Sequence, residues 1–305
     1  MKQEKKTIFD QMLSHIGDQS KNLPSIELTG FVGMHGQRAN GELMVIGRSA
    51  NEWIGNLSPA AFLNKEERQQ FIDQIFSRSD NETNCPLQWV SDCWGAIPMH
   101  RPRELPDQCS GSSMATGEDC LLWQAWQSNL ETCTCKTRPV FNVQCTKCVY
   151  NKNRYNTKKS AFWRTIQRVI LNLQIATDSA TDWPSRITWT NLYKVSPAKG
   201  GNPYSTLMEL QRPFCGKLLR QEIIESAPKR LLFLTGINWF EPFIPLIGEF
   251  IDVVRSTGLV QLRGYLHIPE ADYKSSIVVA QHPQGKPGDR FVLEVTNAFR
   301  DIPVT

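Results

Sequence analysis

The apolar and polar positions divide the chain into short continuous apolar runs and longer stretches of helical spacing. Residues 43–46, Leu-Met-Val-Ile, form one such run, which Gly47 closes before a loop of small and polar residues. A continuous apolar run bounded in this way marks a strand buried on both faces. The same succession recurs at residues 187–194, 231–236 and 277–282. Helical spacing is found at residues 5–17 (Ile8, Met12, Leu13, Ile16) and 59–77 (Phe62, Leu63, Phe71, Ile72, Ile75, Phe76). It returns at residues 161–173 (Phe162, Ile166, Val169, Ile170, Leu173), where Ser160 is placed to cap the helix. Residues 205–226, with Ser205 as cap, and 291–300 read as further helices, and a helical segment is expected from Gly236 to about Arg255. A strand is expected near residues 259–267, a loop or short edge strand within 18–41, and a Gly/Pro/Asn loop over 194–204. Strands alternating with helices predict an α/β fold with a three-layer, doubly wound and mostly parallel sheet. Ligands of such sheets collect outside the carboxyl ends of the strands, so chemistry is expected first in the loop after Gly47.

Residues 81–156 break this pattern, being rich in Pro, Ser, Gly, Cys and Trp without lasting periodicity. The segment is too long and too aromatic for a linker and reads as an insertion into one domain spanning residues 1–305. Eight of the nine cysteines lie in it, and only Cys215 lies outside. Cys133-x-Cys135 is followed by nine residues and then Cys145-x-x-Cys148. Thiolates so spaced can hold a structural zinc tetrahedrally, two from each knuckle, the alternative being reduced and merely packed cysteines. The charged start carries no secretory signal, which argues against a disulfide framework and for a cytoplasmic protein.

Bulk composition narrows little. Hydrophobic residues at 40% and charged residues at 21% are those of an ordinary globular protein. A net charge of +4 permits a nucleic-acid partner without requiring one. The richest apolar region, 231–254, is interrupted by Asn238, Glu241, Pro242, Pro245 and Glu249, so no membrane span is expected.

Several separated pieces, taken in order, resemble the uracil-DNA glycosylase superfamily. Val45-Ile46-Gly47 with its loop is similar to that family's first strand and water-activating loop. Thr190-Asn191-Leu192-Tyr193-Lys194 with Pro197 resembles its second strand, whose Asn reads an extruded base. Residues 228–236, Pro-Lys-Arg-Leu-Leu-Phe-Leu-Thr-Gly, resemble a third strand, and His282-Pro283-Gln284-Gly285 a loop near the carboxyl end. Phe162-Trp163-Arg164 resembles an aromatic helix start of the mismatch-specific branch. The likeness spans residues 42–53 and 160–300 and leaves the cysteine segment unaccounted for; the branch that carries an iron–sulfur cluster spaces its cysteines differently.

The resemblance implies a monofunctional DNA glycosylase that hydrolyses the N-glycosidic bond of an extruded damaged or modified base. A bulky hypermodified base of phage DNA, excised in antiviral defence, falls within that class. Such a reaction needs a hydrogen-bond donor to the departing base, a held water and an anion facing the sugar. It also needs an amide and an aromatic ring for the extruded base. His282 is the candidate donor, Asn191 the reader, and Phe162 and Trp53 the covering rings, with Gly47 and Ser49 beside the substrate. The first loop departs from the family pattern, because Arg48 and Ser49 stand where a carboxylate or Asn is usual. Glu52 and Asn51 follow closely enough to activate or hold the water, unless they are solvated loop residues. Lys158, Lys159, Lys194 and Lys286 are candidate phosphate contacts, with a solvated surface as the plain alternative. The expectation is a monomer acting on DNA, with no cofactor required for catalysis. The competing expectation is an inactive nucleic-acid-binding sensor or scaffold.

Overall fold

The computed structural model describes residues 2–49, 54–79, 87–92, 94, 100–102, 148–150, 157–176 and 182–302. Helix α1 (Lys2–Asp18) buries Phe9, Met12, Leu13 and Ile16, the four positions its spacing places on one side. Strands β1 (Leu28–Gly30), β2 (Met34–His35), β3 (Met44–Ser49) and β4 (Ile54–Leu57) follow. Residues 59–77 are not one helix. Pro59–Leu63 is a 3₁₀ turn, and α2 (Lys65–Arg78) starts only after Asn64, whose side chain accepts the amides of Glu66 and Glu67 at 2.9 and 3.3 Å. A capping Asn inside an apolar periodicity restarts the helix.

Helix α3 (Gln88–Asp92) still belongs to the main unit, where Leu87 and Val90 are buried. Gly95–Asn156 forms a second compact unit, within which β5 (His100–Pro102) and β6 (Cys148–Tyr150) pair antiparallel. Residues 87–92 and Trp94 thus group with the main unit, where Trp89 and Trp94 pack against its apolar cluster. The chain re-enters that unit at Thr157, whose hydroxyl donates to the Val90 carbonyl at 2.7 Å.

Helix α4 (Ala161–Asn172) is capped by Ser160, whose hydroxyl accepts the Trp163 amide at 3.5 Å. Then come β7 (Thr188–Tyr193), β8 (Val195–Pro197) and α5 (Ser205–Ser226), where the capping position falls on Tyr204 and not on Ser205. After β9 (Arg230–Phe233) the expected helix to Arg255 breaks up. Short helices α6 (Ile237–Phe240) and α7 (Ile244–Ile247) flank a 3₁₀ turn, and residues 249–255 are strand β10 (Glu249–Arg255). Gly248 makes the change possible: its φ is 155°, and a Cβ there would stand 2.6 Å from the His267 carbonyl oxygen. Strands β11 (Val260–Ile268) and β12 (Tyr273–Ala280) and helix α8 (Gly288–Arg300) complete the unit.

The large sheet runs β10-β11-β12-β9-β3-β7-β2. Its four inner strands, β12, β9, β3 and β7, are parallel, while β10, β11 and β2 add antiparallel. The sheet is therefore mixed, and its parallel part coincides with the four apolar runs of the sequence. A smaller antiparallel sheet, β4-β1-β8, takes β1 from the stretch read as a loop or short edge strand and β8 from the expected Gly/Pro/Asn loop. Alternation along β3 sends Met44 and Ile46 into one apolar cluster with residues of α1, α2 and α5. Val45, with Leu43 before the strand, enters the other cluster with Trp163 and Ile166 of α4 and Phe291 and Val295 of α8. Helices thus cover both faces, and each apolar side chain so buried contributes about 1.5–3 kcal/mol.

The parallel strands stand in the order second, first, third, fourth. The chain reverses direction across the sheet between β3 and β9, and a doubly wound sheet opens a crevice outside the carboxyl ends at such a point.

Candidate functional site

Strand β3 does not stop at Gly47. It continues to Ser49, with Gly47 opposite Asn191 and Ser49 opposite Tyr193 of β7. Gly47 and Asn191 therefore share a face at adjacent strand ends. A Cβ on Gly47 would lie 2.3 Å from Asn191 Oδ1 and 3.5 Å from the Phe162 ring of α4. Only a residue without a side chain lets the amide and the ring approach this strand so closely. Phe162 is half-buried, edge-on to Trp163 at 5.1 Å. Asn191 is 2% exposed, and its Nδ2 is buried with no hydrogen-bond partner in the protein among the described residues. Such an unmet donor is destabilising by about 1–3 kcal/mol, a penalty a bound acceptor removes.

One turn of the alternation later, Arg48 faces the other way, across the switch point. Its Nε donates to the Thr235 carbonyl at 2.8 Å, and its guanidinium lies 5.0 Å from the Trp239 ring centre. Burial lowers its pKa from the ordinary arginine value. A cavity of about 540 Å³ opens there, lined by Arg48, the chain from Thr235 to Trp239, Gln261, Gln281, His282, Gln284 and Lys286. Gln261 Oε1 accepts the Ile237 amide at 2.8 Å and so fixes the start of α6 at its wall.

His282 is the second residue after β12 and lines this cavity. Burial, and then the positive charge of Arg48, push its pKa down to about 4. The ring is therefore neutral at neutral pH. The Gln284 amide donates to its Nδ1 at 3.3 Å, which leaves the ring proton on Nε2. Strand β12 lies two steps from β3 and three from β7. At about 4.8 Å per step, His282 and Asn191 start from strands about 14 Å apart.

The other expected site residues distribute unevenly. Ser49 is half-buried, with its hydroxyl 3.3 Å from Asn202 Oδ1. Lys158 and Lys159 are exposed in the turn before α4, and Lys286 is exposed at the rim of the cavity. Lys194 cannot be a phosphate contact. It is 1% exposed, and its Nζ donates to Glu222 and Thr190 at 2.6 Å each. Helix α5 supplies that carboxylate from 28 residues along the chain and draws the lysine inside. Asn51, Glu52, Trp53, Cys133, Cys135 and Cys145 lie outside the described residues, as does the side chain of Cys148, whose backbone belongs to β6.

Arg48, Trp239 and Gln261 were not anticipated as a group. The only sequence signal was Arg48 as a misfit in the first loop; Trp239 and Gln261 reach it through the break after β9 and through an antiparallel strand. No helix among the described residues is long and apolar enough to cross a membrane. No protein-family model matches the chain, and no curated protein matches it significantly.

Proposed function

We propose that the chain is a monofunctional DNA glycosylase acting on an extruded damaged or modified base. The observation that carries this reading is the buried, unpartnered Nδ2 of Asn191, held over Gly47 and beside Phe162 at the ends of two parallel strands. An amide so placed presents a donor to a base edge, and the ring beside it covers the base face. His282, neutral with its proton on Nε2, supplies the donor to the departing base. In this proposal Asn51 or Glu52 holds the attacking water. Lys158, Lys159 and Lys286 meet phosphates, and Cys133, Cys135, Cys145 and Cys148 hold a structural zinc. Of the residues named for this chemistry, His282 and Lys286 line the cavity of about 540 Å³, beside Arg48.

Incubation with normal, uracil-containing and hypermodified DNA, followed by mass spectrometry of released bases and abasic-site counting, tests the proposal. Asn191→Ala and His282→Ala are each expected to slow base release about 10²–10³-fold, the usual effect of losing one oriented donor. Release at the wild-type rate by both variants sinks these assignments. One observation favours a second reading: Arg48 stands where the resembled family places a carboxylate or Asn. If the wild type binds DNA yet forms no abasic sites on any substrate, the chain is a binding module.

A further inference from the structure

We infer that the cavity between β3 and β9 is an oxyanion site anchored by Arg48, and that its ligand presents a phosphate or a carboxylate there. The inference goes beyond base excision, because it rests on the cavity and holds even for a chain that releases no base.

Arg48 is half-buried at the carboxyl end of β3, on the strand beside the switch point. Its interactions within the described residues are the Thr235 carbonyl on Nε and the Trp239 ring beneath the guanidinium. No carboxylate among the described residues pairs with it. The contrast with the rest of the unit is sharp. Lys194 is buried against Glu222, and Arg230 meets Glu42 at 2.9 Å. A cation withdrawn from water without an anion is unfavourable, so the fold gains most from a ligand that brings one. The Nε bond and the aromatic ring hold the guanidinium plane in place and leave its terminal nitrogens for a two-pronged contact, the geometry that suits phosphate and carboxylate.

The surroundings agree. Among the described lining residues the charged side chains are Arg48 and Lys286, and none is acidic. The other polar groups include the amides of Gln261 and Gln281 and the neutral imidazole of His282. Gly236 lies beside the guanidinium, where a Cβ would touch Arg48 Nη2 at 3.6 Å, and its φ of +81° disfavours other residues. Among the described residues, an anion entering the cavity thus meets two positive charges and no negative one.

The shared chemistry has two sources, a phosphodiester of the DNA strand or an acidic substituent on the base itself. Calorimetric titration of the full chain with 2′-deoxycytidine and its 5′-monophosphate tests the anion preference directly. The monophosphate is expected to bind at least tenfold more tightly. Arg48→Gln is expected to abolish that preference, Arg48→Lys to keep part of it, and Lys286→Gln, at the exposed rim, to reduce it two- to fivefold. Equal binding of nucleoside and nucleotide, or an undiminished preference in both Gln variants, overturns the inference. Duplex binding then separates the sources. With a phosphodiester ligand, Arg48→Gln weakens unmodified DNA and lowers the salt slope by about one. With an acidic base, the variant spares unmodified DNA and loses affinity only for duplex carrying 5-carboxylcytosine, with 5-methylcytosine as the neutral control.

Discussion

A lysine's fate turns on what the fold brings to it. Lys194, expected on the surface, is enclosed with Glu222, whose Oε1 also accepts the Gly33 amide at 2.8 Å and whose Oε2 accepts the Thr190 hydroxyl at 2.7 Å. Burial acts to raise the pKa of Glu222, but the Lys194 charge and the hydrogen bonds from Lys194 and Thr190 outweigh it and leave the carboxyl below its usual value. Removing one partner strands the other. Glu222→Gln is expected to lose about 3–5 kcal/mol in urea unfolding, whereas the double variant Lys194→Met/Glu222→Leu recovers most of it. Because the folded-state pKa is depressed, the stabilisation is present above pH 4.5 and is lost as pH falls through the folded value. The wild type should therefore lose stability below pH 4.5 more steeply than the double variant. Of the site residues, Gly47, Phe162, Asn191 and His282 were legible in the sequence as residue types at strand ends and a helix start. Their geometry was not: nothing local shows that the Asn191 amide occupies the space a Gly47 side chain would fill.

Elements form where local chemistry and packing agree, and they shift where one overrides the other. The four apolar runs became the four parallel strands, because a continuous run can be buried only with helices on both faces. The helix over 59–77 split because Asn64 satisfies two amides that the preceding turn leaves unpaired. Asn64→Ala is expected to lower stability by about 1 kcal/mol, read as a drop in melting temperature with unchanged helix content at 25 °C. No drop would place the start of α2 under tertiary control. Strand β10 was hidden for a different reason. Its half-exposed pattern carries no clean alternation, and its identity comes from pairing with β11 across the turn at residues 256–259. Ser205 failed as a cap because the chain turns into α5 one residue earlier, at Tyr204.

At the scale of the molecule, the main unit is built from two stretches of chain, Met1–Trp94 and Thr157–Thr305. Thr157 is hydrogen-bonded to Val90, so the chain leaves and re-enters that unit at neighbouring points. Replacing residues 95–156 by a short Gly/Ser linker is therefore expected to leave one cooperative unfolding transition by calorimetry. Loss of that transition would show that the main unit depends on the insertion. Metal analysis of the same pair tests the zinc proposal, with about one zinc per full chain and none in the shortened one expected. The sequence by itself determined the alternation of strands and helices, the foreign character of the cysteine-rich segment, and the strand ends where chemistry was sought. Periodicity and composition are local quantities, so they survive in a string of residues. Tertiary structure alone decided the strand order, the crevice between β3 and β9, the enclosure of Lys194 and the absence of a carboxylate beside Arg48 among the described residues. Each of these depends on which distant residues share a face or a strand end, and on whether a charge finds its counterion there.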